Sequence, residues 1–387
     1  MEIQERNREK GNGIFRIGPI RPPSEADSLL IQITNGCTWN RCKFCQLYRH
    51  TDFRAYSVDS ILDDIDEIAG IIEDVERYRH GNKWDLEGLD SKIADLKGEA
   101  KQCFYMVATW YLSGSKKVFL QDGNSIILRG GKLATVLQYL KKKLPMVERI
   151  TTYGRAQNLS VFQPEDFVEL HESGLDCIHS GFETGSDEVL QLVNKGTTQE
   201  QQIKAGKMIT DAGIELSVYF MPGLGGHELS LENARGTVEV VNACHPNYLR
   251  IRTAAVKPGT GLEEDWKAGV FSLATEEDKL SEIRYLVEHA DFDGQIVSDH
   301  MINLLQDVEG HCQRDRQYMM GLIDEYNSMP EMDRKMYQLM RRSMHAQRPA
   351  DLAMLSAREK AIYGKLVEET SDEQWTEKMN AMISRYI

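Results

Sequence analysis

Three cysteines, Cys37, Cys42 and Cys45, fall within nine residues of the segment NGCTWNRCKFCQLY. Their C-x4-C-x2-C spacing supplies three thiolates from one short loop. Three thiolates can bind three irons of a [4Fe–4S] cube, and the fourth iron is then open to an exogenous ligand. Ferredoxin-type clusters take four cysteines, and structural zinc sites close a four-ligand shell. The next cysteine along the chain is Cys103, so no fourth lies nearby. An incomplete set suits a catalytic metal centre. A zinc ion completed by a remote residue such as His50 or His171 is the other reading, although zinc sites usually come as paired knuckles.

A loop of this kind needs a rigid platform. SLLIQITNG reads as a short buried strand ending at Gly36, with the cysteines directly after it. Apolar runs and amphipathic stretches then alternate. KKVFLQDGN (116–124), RITTYGRA (149–156), CIHSGFETG (177–185), ELSVYFMPGLGG (215–226) and YLRIRTAAVKPG (248–259) read as strands. LATVLQYLKKKL (133–144), PEDFVELHESG (164–174), QEQQIKAGKMITDAG (199–213) and SLENARGTVEVVNAC (230–244) read as the helices between them. Strands alternating with helices imply βαβ units and a parallel sheet. The expected fold is therefore α/β, a partial (β/α)6 TIM-like barrel with a C-terminal α-helical domain. The expected boundaries are a leader over 1–27, the barrel over 28–270 and the helical domain over 271–387. A charged insertion over about 57–113 reads as two helices with a turn at HGNKWD. From about 275 onward only helical patterns are visible. In such barrels the active site lies at the C-terminal ends of the strands, which is where the cysteine loop begins.

A cysteine triplet after the first strand, with an aromatic residue (Phe44) just before the third cysteine, resembles the radical S-adenosylmethionine (SAM) superfamily. The likeness covers about residues 28–310. It is nearest the branch of oxygen-independent coproporphyrinogen oxidases, Elp-type enzymes and methylthiotransferases. The usual spacing there is C-x3-C-x2-C, so the first gap here is one residue longer. The resemblance implies a [4Fe–4S] cluster on Cys37, Cys42 and Cys45, with the amino and carboxylate groups of SAM on the open iron. It implies an external electron donor such as flavodoxin or ferredoxin. One electron then releases a 5′-deoxyadenosyl radical that takes hydrogen from a substrate.

The same resemblance assigns the later strand ends. Asp122, Gly123 and Asn124 of QDGN stand where the family receives the SAM amino group, although DGN is also a plain turn. Arg155 of YGRA could pair with the methionyl carboxylate, since a guanidinium fork matches a carboxylate; a surface ion pair is its other reading. Glu183, between Gly181 and Gly185 in GFETGS, resembles the family acid that contacts SAM. In MPGLGG, Pro222, Gly223, Gly225 and Gly226 would let backbone approach the adenine, or would form a flexible loop. Lys257 of RTAAVKPG would frame the adenine from the other side. Together the expected catalytic residues are Glu183, Arg155 and His300.

His300 belongs to IVSDHMINLLQDVEGH (296–311), with Asn303, His311, Asp299 and Glu309 near it. In a helix, positions 299, 300 and 303 would share a face, and the segment would close the barrel mouth; a capped helix with incidental histidines is the alternative. Arg250 and Arg252, two apart on a strand, point to one side and suit an anionic substrate. Cys103, Cys177, Cys244 and Cys312 have no shared spacing and read as small buried hydrophobes.

Composition narrows the partners. The 387 residues hold 46 basic and 60 acidic side chains, a formal net charge of −14, with 41% hydrophobic. An acidic chain gains little from counterion release, which argues against a nucleic-acid partner. No apolar run reaches the roughly 18 residues that span a bilayer. The charged start MEIQERNREKGNG has no secretory pattern, so a cytoplasmic location is expected, where clustered cysteines bind metals before they form disulfides. The expected function is reductive SAM cleavage followed by radical chemistry on an unidentified substrate, small-molecule or otherwise. The alternative is an Fe–S or zinc-binding interaction protein without radical turnover.

Overall fold

Buried apolar runs become strands, and the amphipathic stretches between them become helices. The structure is a computed structural model describing residues 11–128 and 131–386. Its strands and helices alternate along the chain in the α/β pattern of a partial TIM-like barrel. The described chain forms two compact units.

The first unit takes in the chain up to Thr38, together with His50–Gly154 and Gln163–Ile178. Its first three strands are Leu29–Gln32, Lys117–Gln121 and Arg149–Tyr153. They pair in parallel, with Leu29 opposite Val118 and Phe119 opposite Thr151. Helix Val58–Glu76 buries Ile61, Ile65, Ile68, Ile72 and Val75, a stripe at helical spacing. It packs on helix Lys132–Lys143, which buries Leu133, Val136, Leu137 and Leu140.

Residues 1–10 of the expected leader lie outside the described range. The rest of it is docked on this unit. Phe15 is buried, Arg16 Nε lies 2.6 Å from Asp64 Oδ2, and Gly18 donates to Gln121 Oε1 at 2.8 Å.

The insertion departs from the expected helix pair. It contains three helices, Val58–Glu76, Leu86–Asp95 and Gly98–Leu112. HGNKWD closes a small antiparallel hairpin, Arg79–His80 with Lys83–Trp84. Gly81 takes φ +65° in its turn, a conformation that suits glycine. Asp85 then caps the second helix through Gly88 N at 2.9 Å.

The second unit comprises Trp39–Arg49, Arg155–Phe162 and the chain from His179. The fourth strand (Cys177–Glu183), fifth (Glu215–Phe220), sixth (Tyr248–Ile251) and a seventh (Gln295–Val297) are neighbours in that order. The sixth pairs in parallel with the fifth and with the seventh. The seventh strand corrects the expectation that only helices follow residue 275. It is three residues long and too short to show a period. It is joined to the sixth by helix Glu276–His289, so a barrel repeat continues past residue 270. The segment 296–311 is correspondingly strand and turn, not a helix.

Later helices Arg316–Ser328, Glu331–Arg342, Ala357–Glu368 and Asp372–Ile383 complete this unit. A buried ion cluster ties helix Glu331–Arg342 to helix Glu276–His289. Glu276 accepts from Arg342 Nη2 and lies 3.3 Å from Lys279 Nζ. Burial opposes the Glu276 charge, but Arg342 and Lys279 outweigh it and hold its carboxyl below the usual range, as a fully desolvated acid requires.

Candidate active site around the cysteine loop

In the first unit, the turn after the second strand braces the approach to Cys37. Asp122 N donates to Thr34 Oγ1 at 3.2 Å, and Gly36 N donates to Asp122 Oδ2 at 3.4 Å. Asn124 Nδ2 donates to Thr38 Oγ1 at 3.1 Å. Asp122 and Asn124 are buried, and Gly123 between them is half-buried. Sequence reasoning set these residues beside SAM; the structure gives Asp122 and Asn124 the work of fixing the strand end that carries Cys37.

Within the second unit the rest of the loop is tightly held. Trp39 Nε1 donates to Asn194 O at 2.7 Å, and Asn194 Nδ2 donates back to Arg41 O at 3.1 Å. Lys43 N donates to Val193 O at 2.8 Å, and Lys43 O accepts from Leu262 N at 3.0 Å. Phe44 packs on a cluster of Val189, Val193, Leu224, Val256, Leu262 and Phe271. Cys45 N donates to Cys42 O at 3.2 Å, making a tight turn between those two cysteines. Gln46 and Arg49 donate to Pro258 O and Gly259 O.

Trp39 lies in the longer first gap, and its seat explains how the extra residue is accommodated. Gly196 takes φ +69°, and a Cβ there would lie 2.4 Å from the Trp39 ring. Gly196→Ala therefore meets both a left-handed backbone, worth about 1–2 kcal/mol, and the indole. Thermal unfolding should show a lower Tm for this variant; an unchanged Tm would remove the anchoring role of Trp39.

Glu183 ends the fourth strand with φ 65°, a conformation uncommon outside glycine and frequent at functional sites. Its Oε1 accepts from Lys195 Nζ at 3.1 Å. Lys195 is 9% exposed. Burial alone would lower its pKa, but Glu183 and the nearby Cys42 sulfur outweigh burial and raise it. The ammonium lies over the Phe44 ring at 5.5 Å. Arg155 Nη2 donates to Lys195 O at 2.9 Å, and its guanidinium sits 5.6 Å from the Trp39 ring. Glu183, Arg155, Lys195, Trp39 and Cys42 are thus gathered. Sequence reasoning missed Lys195 and Trp39. The bulky aromatic in the lengthened gap and the Lys-Gly pair in VNKGT were the available signals.

Other expected residues have different surroundings. In MPGLGG, a Cβ at Gly225 would lie 2.7 Å from Leu229 O, and one at Gly226 2.4 Å from Ser272 O. Close packing within the protein accounts for those glycines. Gly223 N donates to both oxygens of Glu282 at 3.1 Å, and Pro222 O accepts from Ala254 N at 2.8 Å. Glu282, missed in the sequence, is buried, which pushes its carboxyl up to about 8. Gly181 lies beside Glu183: a Cβ there would be 2.3 Å from Glu183 Oε1.

Lys257 is pushed down to about 8 by burial and by Arg252, partly offset by Cys45. His300 is pushed down to about 4 by burial, with Arg252 and Lys257 adding to it, so its imidazole is neutral at pH 7. The shared helical face of Asp299, His300 and Asn303 does not exist, because the segment turns. Asp299 pairs with Arg250 at 2.6 Å, Glu309 accepts from Ser298 N at 3.4 Å, and His311 pairs with Asp293 at 2.9 Å.

Residues 107–234 match the radical SAM superfamily. Among curated relatives, the tRNA uridine(34) acetyltransferase of Methanocaldococcus jannaschii is 29% identical over 122 residues, 31% of this chain and 23% of that protein. The 4′-phospho-dehydrooxetanocin synthase of Priestia megaterium is 23% identical over 206 residues, 50% of this chain and 23% of its own length. The chain spans about a quarter of the length of either relative. The crystal structure of methylornithine synthase superposes with a TM-score of 0.42 at 14% identity, covering 89% of this chain and 86% of that one.

The cofactors of a radical SAM domain are a [4Fe–4S] cluster and SAM. The donor set here suits them. Cys37, Cys42 and Cys45 are half-buried and form no disulfide. Lys195 and Lys257 lie within electrostatic reach of Cys42 and Cys45. Among the described residues, no group of three or more His, Cys, Asp or Glu side chains is gathered around one ion-sized point; a cube binds each thiolate through a separate iron.

Proposed function

We propose that this protein is a radical SAM enzyme acting on a small-molecule substrate. The observation that carries the reading is the loop of three cysteines outside any disulfide, with the Glu183–Lys195 pair set against Cys42. When bound, the cluster and SAM supply a 5′-deoxyadenosyl radical that removes a hydrogen atom from substrate; the protein binds, orients and excludes water. Cys37, Cys42 and Cys45 hold the cluster. One oxygen of Glu183 is taken by Lys195, and the other has no hydrogen-bond partner among the described residues, so it can accept from SAM hydroxyls. Arg155 offers its guanidinium fork to the methionyl carboxylate. Asp122, Gly123 and Asn124 receive the amino group, while Gly181, Pro222, Gly223 and Lys257 border the cofactor. Glu183 and Arg155 orient SAM, and His300 faces the substrate as a neutral group.

A small substrate fits the net charge of −14, which repels a polyanion such as tRNA. Among the described residues no helix is long and apolar enough to cross a membrane. The proposed setting is the cytoplasm, with flavodoxin or ferredoxin as reductant.

Metal analysis tests the cluster directly. Protein purified without oxygen should hold about four irons and four sulfides per chain. Stoichiometric zinc without sulfide in anaerobically reconstituted protein would instead support a metal-binding interaction protein.

A further inference from the structure

Residues Tyr248, Arg250 and Arg252 lie on one face at the sixth strand, because side chains alternate along a strand. Tyr248 stands opposite Ser217 and Arg250 opposite Tyr219. The two arginines have different fates. Arg250 is satisfied: Nη1 lies 2.6 Å from Asp299 Oδ2, and Nε donates to Ser217 Oγ at 3.1 Å. Arg252 sits just beyond the strand's C-terminal end, its backbone N–H held by Phe220 O at 2.9 Å. Its half-buried guanidinium has no hydrogen bond and no ion pair among the described residues.

The surroundings of Arg252 are fixed from both sides. Asn303 Nδ2 donates to Ile251 O at 2.8 Å, and Asn303 Oδ1 accepts from Thr253 N at 3.0 Å. Asn303 N donates to His300 O at 3.0 Å, so the His300–Asn303 turn is stitched to the residues flanking Arg252. Buried Arg341 holds that turn from behind, donating to Asn303 O at 3.2 Å and to Met301 O at 2.7 Å. Asn380 clamps Val256 at 2.8 and 3.0 Å, which fixes Lys257 next to it. Ala255, Ile302 and Ile383 pack together beneath.

His300 Nδ1 accepts from Ile302 N at 3.3 Å. A neutral imidazole accepting there carries its proton on Nε2 and can donate from it. Arg252, Lys257 and His300 therefore form a set of donors. The nearest carboxylate on the turn, Asp299, is spent on Arg250. A half-buried guanidinium without a counter-charge is costly, and the neighbouring Lys257 adds a like charge beside Arg252.

We propose that Arg252, with Lys257 and His300, forms a subsite for an anionic group of the substrate, a carboxylate or a phosphate. This rests on the radical SAM reading and names the substrate class that the reading leaves open. An arginine fork can grip either group through two parallel hydrogen bonds.

The probes are inorganic phosphate and malonate, titrated calorimetrically into cluster-loaded protein at constant ionic strength, with and without saturating SAM. Iron and sulfide are assayed first, so failure to hold a cluster is recognised separately. One of the two anions should bind saturably, with SAM present or absent. Arg252→Gln should weaken that binding by about tenfold or more, as loss of a charged hydrogen bond requires. Arg252→Lys and His300→Ala should each weaken it less, and Lys267→Gln, at an exposed lysine paired with Glu263, should leave it intact. Tighter phosphate than malonate binding assigns a phosphate ester, and the reverse a carboxylate. Absence of saturable binding, equal binding by Arg252→Gln, Arg252→Lys and wild type, or displacement of the anion by SAM would each overturn the proposal.

Discussion

Replacing Cys37, Cys42 or Cys45 with Ala should abolish 5′-deoxyadenosine formation, while Cys103→Ala, Cys177→Ala, Cys244→Ala and Cys312→Ala should leave it running. The reason is ligand count and burial together. A cube with one open iron needs three thiolates, and the loop supplies three. Loss of any one uncovers a second iron, so the cluster degrades or SAM is misoriented. The other four cysteines are fully buried. Cys103 donates to Phe15 O at 3.4 Å, and Cys312 to Ala290 O at 3.4 Å. Burial pushes the Cys244 thiol up to about 12 and also raises Cys312, so these remain thiols and poor ligands. Their replacement should cost about 1 kcal/mol each, as a small core truncation does. The readout is deoxyadenosine released by the reduced, reconstituted variants. Full activity in a triplet variant, or a dead Cys312→Ala with its cluster intact, would break the three-ligand scheme.

Glu183→Gln should raise the SAM dissociation constant by between about tenfold and about 150-fold, from the roughly 1.5–3 kcal/mol carried by a hydrogen bond to a charged group. Glutamine keeps the shape and the left-handed backbone but removes the charge. Lys195, buried against Phe44, then loses the carboxylate that keeps it protonated. Cluster content should stay near wild type, because Glu183 is not a ligand. Equilibrium binding of SAM to the oxidised, cluster-loaded variant reads this effect. A SAM affinity equal to wild type would assign Glu183 to holding Lys195 alone.

The strands were legible where burial imposes continuous apolar runs, as in Val118–Leu120, or β-rich patterns such as Leu216–Phe220. The cysteine loop was legible because its ligands lie close in sequence. What surrounds it was not. Lys195 reaches Glu183 from twelve residues away, and Glu282 reaches Gly223 from 59 away; only the packed helices bring such pairs together. The strand Gln295–Val297 was hidden by its length, since three residues show no period, and its neighbours His300 and Asn303 were read on the wrong element as a result. The glycines of MPGLGG were seen, but their cause lay in Leu229 and Ser272, which no local pattern reveals.

The most direct measurement is Mössbauer spectroscopy of protein reconstituted with 57Fe, recorded with and without SAM. A [4Fe–4S] cluster on three cysteines should show about a quarter of its iron signal shifting when SAM is added, because one iron of the cube gains nitrogen and oxygen ligands while three keep their thiolates. A cluster whose irons all stay unchanged in the presence of saturating SAM, or iron that never assembles with sulfide, would contradict the assignment of Cys37, Cys42 and Cys45 to a SAM-binding cluster.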